Sequence, residues 1–114
     1  MATETPSATE SESIHEAVDE YIGSNDRVLF IKGTPQRPQC GFSQRAVGTL
    51  ARYDVDFETV NVLDALAEYR EALDSHSGWK TIPQLYVDGE FVGGSDIIVE
   101  LAERGDLEET LETE

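Results

Sequence analysis

Val28-Leu29-Phe30-Ile31-Lys32-Gly33-Thr34-Pro35-Gln36-Arg37-Pro38-Gln39-Cys40-Gly41-Phe42-Ser43 is the stretch on which the reading of this chain turns. Four consecutive apolar residues suit a strand covered on both faces. After Cys40 the apolar residues Phe42, Ala46, Val47, Leu50 and Tyr53 recur at helical spacing. The loop between these elements carries the only cysteine of the chain and delivers it to the first turn of the expected helix. Unpaired N–H groups and the positive end of the helix dipole favour a thiolate there. A lone cysteine also fits inert apolar packing. A loop broken by prolines and a glycine, however, is exposed backbone and a poor place to hide a core thiol.

Working outward, residues 1–12 show no apolar periodicity and are expected to be a disordered acidic tail, with one domain over residues 13–114. Ser13-Ile14-His15-Glu16 fits a capping box, and Ile14, Val18, Tyr21 and Ile22 continue it as a helix. Residues 27–32 and 57–62 read as the first two strands, joined through the helix after Cys40, which predicts a parallel βαβ unit. Asp64 is placed to cap a third helix with Leu66, Tyr69 and Leu73 inward, and residues 75–80 read as a loop. Gln84-Leu85-Tyr86-Val87-Asp88-Gly89-Glu90-Phe91-Val92-Gly93 is two strand-like runs joined by Asp-Gly, the turn pair that tolerates positive φ at both central positions. Gly93-Gly94-Ser95-Asp96 then opens a helix with Ile97, Ile98 and Leu101 inward and Gly105 at its end. Leu107 and Leu111, four apart, allow a short last helix.

At 114 residues the chain has the size of one domain. With 24 Asp and Glu against 8 Lys and Arg the formal charge is −16, which repels phosphate backbones and anionic lipid surfaces. No nucleic acid partner is therefore expected. The longest apolar run is four residues, far short of the roughly 20 that span a bilayer, so no membrane segment is expected either. One cysteine excludes an internal disulfide framework, and the opening residues lack a secretory pattern; the expected compartment is the cytoplasm. Many of the acidic residues lie inside the patterned region, which favours adaptation to a high-salt, halophilic setting over an ordinary protein with acidic tails. Only two lysines occur. Lys32 ends the first strand and Lys80 precedes Thr81-Ile82-Pro83, so both flank segments of chemical interest and are suited to meeting an anion; chance placement for solubility is the alternative.

Three separated motifs in this order, Lys32-Gly33-Thr34-Pro35 with Cys40-Gly41-Phe42-Ser43, then Trp79-Lys80-Thr81-Ile82-Pro83-Gln84, then Gly93-Gly94-Ser95-Asp96, resemble the monothiol glutaredoxins of the Cys-Gly-Phe-Ser type over about residues 14–105. The resemblance implies an α/β, thioredoxin-like fold, a four-stranded mixed sheet flanked by helices. It implies a carrier that binds a [2Fe–2S] cluster with glutathione or a related γ-glutamyl thiol as co-ligand and passes it to apo iron–sulfur client proteins. Carried over residue by residue, Cys40 is the metal ligand and nucleophile, and Lys32, Arg70 and Lys80 meet carboxylates of the small thiol. Ile82, before an expected cis Pro83, pairs its backbone with the cysteinyl part, and Ser95 and Asp96 hold the γ-glutamyl end. Relatives carry other apolar residues at the Ile82 position, which matters little for a backbone contact.

Elementary chemistry adds a constraint. An all-thiolate [2Fe–2S] cluster takes four sulfur ligands and the chain has one cysteine. A monomer when apo and a cluster-bridged homodimer when loaded are therefore expected. The absence of a second cysteine also removes the resolving thiol of a dithiol reductase. The alternative function is a monothiol oxidoreductase that reduces mixed disulfides between proteins and the small thiol; a third is a regulatory module that docks partners through the thiol face. Among the other residues, His15 and His76 read as solvated helix residues, Phe42 as a helix anchor and Trp79 as partial core at a loop rim. Asp96 also fits a plain N-cap, and Arg70 fits a solvated helix face equally well.

Overall fold

A computed structural model describes the backbone of residues 7–113 and the side chains of residues 13–113. The elements are α1 (Ser7–Ser24), β1 (Arg27–Ile31), α2 (Gly41–Leu50), β2 (Glu58–Asn61), α3 (Leu66–Ser77), β3 (Gln84–Val87), β4 (Glu90–Gly93), α4 (Ser95–Glu103) and α5 (Leu107–Thr110). The four strands form a mixed sheet in the order β2-β1-β3-β4, with β1 and β2 parallel and the other two pairings antiparallel. This is the expected thioredoxin-like arrangement.

The central strand shows why its continuous apolar run is needed. Val28 and Phe30 face one side and Leu29 and Ile31 the other, each with 0% exposure, as the two-residue period of a strand dictates. On one side they meet Val18 and Ile22 of α1 and Tyr69, Ala72 and Leu73 of α3. On the other they meet Ala46 and Leu50 of α2, Ile98 of α4, and Leu107 and Leu111. Each large aliphatic or aromatic side chain buried this way contributes roughly 1.5–3 kcal/mol. The β3–β4 hairpin turns on Asp88 and Gly89 with φ of 53° and 81°, the paired positive values anticipated for Asp-Gly.

Three boundaries depart from expectation. The backbone is already helical from Ser7, so residues 7–12 of the expected tail belong to α1, while residues 1–6 lie outside the described residues. Apolar periodicity marks where a helix packs, and a run with Ala and Glu can extend past its packed part. Asp64 does not cap α3; it lies inside a 3₁₀ turn, Leu63–Ala65, and the cap position is Ala65 with no side-chain hydrogen bond. The helix then runs to Ser77 and stops at Gly78 with φ 78°, so the first half of the loop expected over residues 75–80 is helix. No helix among the described residues is long and apolar enough to cross a membrane.

Candidate functional site

Cys40 occupies the N-cap of α2 in extended conformation (φ −152°, ψ 156°), and its sulfur accepts from the Ser43 N–H at 3.3 Å. Ser43 is fully buried. Its Oγ accepts from the Lys32 N–H at 3.0 Å and lies 3.3 Å from Cys40 Sγ, so its own proton is free to point at a thiolate. Partial burial raises the Cys40 pKa, but the Ser43 hydroxyl, the backbone N–H groups of Ser43 and Phe42 and the charge of Lys32 outweigh it and hold the thiol below its ordinary value.

The loop in front of the thiol is cross-tied through its own main chain. Thr34 and Arg37 exchange two backbone hydrogen bonds of 3.2 and 3.0 Å, and the Gln39 N–H reaches Lys32 O at 2.8 Å. Gly33 sits at φ 98° with its missing Cβ directed at Arg37 O, only 2.5 Å away, so no other residue fits there without displacing the loop. Asn61, at the end of β2, accepts from both Gly33 N and Leu63 N at 3.0 Å and fastens the loop to the sheet.

Beside the thiol lies a groove of about 740 Å³. Lys32, Arg70, Ile82, Pro83, Ser95 and Asp96 all line it, although they come from four separate segments. The Ile82–Pro83 peptide is cis, as expected. Cys40 and Lys80 are not in the lining but stand at its border: Phe42 lines it, as do Trp79 and Thr81 on either side of Lys80. The cations and the acid of the site differ in pairing. Asp96 lies 3.8 Å from Arg45 of α2, whereas Lys32, Arg70 and Lys80 enter none of the ion pairs among the described residues. Asp96 is not the N-cap of α4, which is Gly94; it lies in the first turn, next to buried Ser95.

Some functional neighbours were missed or misjudged from sequence. Phe42, expected to anchor its helix, is 57% exposed on the groove, and Trp79 is 59% exposed at the rim. Arg45 meets Asp96, a groove residue, only because α2 and α4 lie side by side, which no local pattern reports. Gln84 was quoted as part of a motif but given no role. It is 1% exposed, and a polar residue opening an otherwise apolar strand was the signal that it needs buried partners. Among the described residues no group of three or more His, Cys, Asp or Glu could hold a metal ion.

The glutaredoxin family model matches residues 28–92. An uncharacterised monothiol glutaredoxin of Synechocystis is 50% identical over 95 residues, covering 83% of this chain and 88% of that one. A chloroplastic monothiol glutaredoxin of rice is 52% identical over 95 residues, and the match spans 83% of this chain but 56% of the rice protein. The solution structure of a reduced apo glutaredoxin from poplar superposes with a TM-score of 0.72 at 46% identity, over 84% of this chain and 87% of that one. With one thiol at a helix N-cap, a cis proline facing the same groove and these likenesses, the chain belongs to the glutaredoxin family, among its monothiol members.

Proposed function

We propose that this protein binds a [2Fe–2S] cluster with glutathione or a related γ-glutamyl thiol and passes it to apo iron–sulfur proteins. The observation that carries this reading is the site's donor set: one thiol held toward its thiolate form, with no second cysteine in the chain, beside a groove whose cations Lys32 and Arg70, with Lys80 at the border, enter no ion pair among the described residues. In the groove, Lys32 and Arg70, with Lys80 at the border, meet the carboxylates of the small thiol by charge-assisted contacts. The Ile82 backbone, held by Pro83, aligns its cysteinyl part, and Ser95 and Asp96 take the γ-glutamyl end at the start of α4. The cluster is cargo: two Cys40 thiolates from two copies and two small-thiol sulfurs complete its four ligands, so the loaded form is a homodimer and the apo form a monomer. The chemistry of a single free thiol suits a reducing compartment such as the cytoplasm.

The lowered Cys40 pKa favours a second reading, a monothiol oxidoreductase. Here the Cys40 thiolate attacks the glutathione sulfur of a mixed disulfide, that S–S bond breaks, and the client leaves as a thiolate that takes up a proton. A second glutathione thiolate then attacks the Cys40–glutathione disulfide, releasing glutathione disulfide and regenerating Cys40. Anaerobic reconstitution with iron, sulfide and either glutathione or γ-glutamylcysteine separates the two. The carrier predicts a coloured species of about twice the monomer mass that needs the added thiol and is absent in Cys40→Ser. A coloured monomer would overturn it. Turnover on a glutathionylated peptide without any coloured species would leave the oxidoreductase.

A further inference from the structure

We infer that Gln84 is a positioning residue that sets one wall of the groove by holding the main chain of residues 79–81 from beneath. Its side-chain amide is buried and has four hydrogen-bond partners within reach. Nε2 donates to Trp79 O at 2.8 Å and Thr81 O at 3.0 Å, while Oε1 lies 2.7 Å from Tyr86 Oη and 3.1 Å from Ser77 Oγ. Two carbonyls on one side can only accept, and on the other the Tyr86 hydroxyl donates while the one Ser77 proton is shared among Oε1, Leu73 O and Trp79 O, so the amide has one satisfiable orientation. Burial raises the Tyr86 pKa against a smaller lowering by Ser77, which keeps the phenol protonated as the donor. Ser77 Oγ also accepts from Trp79 N at 3.0 Å, closing the network around the start of the segment.

The two carbonyls held by Nε2 flank Lys80. The amide therefore fixes the backbone on both sides of that cation, together with Trp79 and Thr81 on the groove and Ile82 just beyond. Gln84 also continues into β3, where it pairs with Phe30 of the central strand, so the position of the wall is referred to the most buried strand of the sheet. Cys40 is tied to Ser43 and Lys32 on the other side of the groove and shares none of these hydrogen bonds. Gln84 thus acts on how a small thiol is seated and leaves the reactivity of the sulfur alone.

The effect on the small thiol rests on the binding reading proposed above; the effect on the wall does not. Trp79 is the only tryptophan of the chain and lies in the held segment, so its fluorescence reports the wall directly. In Gln84→Met, which keeps length and removes both donors, acrylamide quenching of Trp79 is expected to rise by about twofold and glutathione affinity, by titration calorimetry, to fall by about tenfold, since two part-buried carbonyls each lose the donor that Nε2 supplies. The iodoacetamide rate of Cys40 should stay within about twofold of the parent protein, because the determinants of its thiolate are untouched. Unchanged quenching in a folded Gln84→Met, or a Cys40 rate that falls with the affinity, would overturn the inference. If Gln84→Met does not fold, Tyr86→Phe carries the same test: losing the hydroxyl that orients the amide should raise Trp79 quenching by a smaller factor, and no rise refutes the role. A parent protein that fails to bind glutathione while Gln84→Met loosens Trp79 would refute the binding reading and leave the positioning role standing.

Discussion

Residues 33–39, in front of the thiol, and residues 78–83, along the groove, are both short and both contain proline, but the balance of what holds them differs. The first is tied mostly main chain to main chain, through Thr34, Arg37, Gln39 and Lys32, with the Asn61 side chain accepting from Gly33 N and the Thr34 hydroxyl from Arg37 N. In the second, the carbonyls of Trp79 and Thr81 are taken by one side chain, Gln84. A backbone-tied loop tolerates changes in most of its side chains and fails where a Cβ cannot fit. A loop tied by a side chain fails at the residue that ties it, which can lie outside the loop.

The sharpest challenge to this contrast is Gly33→Ala. The new Cβ would lie within 3 Å of Arg37 O and Gln39 at a φ of 98°, and a loss of roughly 2–4 kcal/mol in urea unfolding is expected. A loss under about 0.5 kcal/mol, the size of an ordinary surface substitution, would show that the loop is less constrained than its hydrogen bonds imply. Next in size, Ser43→Ala leaves the Lys32 N–H without its buried acceptor and should cost about 1–2 kcal/mol. The same variant should move the alkylation midpoint of Cys40 upward, since the hydroxyl contact that lowers it is gone; an unmoved midpoint would assign the lowering to the backbone N–H groups.

A smaller effect comes from pH. The folded thiol titrates below its ordinary 9.0, so the folded state gains stability from the thiolate that is complete above 9.0 and is lost as pH falls through the lowered value. Relative to Cys40→Ser, the parent protein should therefore gain stability as pH rises across that window, read from denaturant midpoints at several pH values. A flat difference would mean the thiol feels the same surroundings folded and unfolded. Smallest of all, Gln36→Ala, on the exposed tip of the backbone-tied loop, should change stability by less than about 0.5 kcal/mol. A larger cost would break the contrast, because it would mean that exposed side chains at the tip also carry this loop.

The same contrast explains what was legible beforehand. Val28 to Ile31 and the Asp88-Gly89 turn are local patterns, and each lies where its pattern puts it, while α4 stops at Glu103, just before Gly105, with Ile98 buried as expected and Ile97, expected inward, 41% exposed. Residues named from the family resemblance, among them Lys32, Arg70, Pro83 and Ser95, do share one groove. What escaped notice is what distance in sequence conceals. The hydrogen bonds of Gln84 gather Ser77, Trp79, Thr81 and Tyr86 across a helix end, a loop and a strand. Arg45 meets Asp96 only through the packing of two helices. The start of α1 and the turn at Asp64 were misplaced because apolar spacing reports the buried part of a helix and is silent on its ends.

Leu107 and Leu111 complete the aliphatic layer beneath the helix of Cys40, and Arg27 Nε donates to Leu111 O at 2.7 Å. During synthesis this has a cost in time. A nascent chain that has emerged only as far as Gly105 has all four strands, yet the layer under the thiol helix still lacks two leucines and Arg27 has only Asp56 O of its two carbonyl partners. Until residues 107–111 leave the ribosome, the side of the sheet that supports the thiol offers an unfilled apolar face to chaperones, while the side under α1 and α3 already has all its parts.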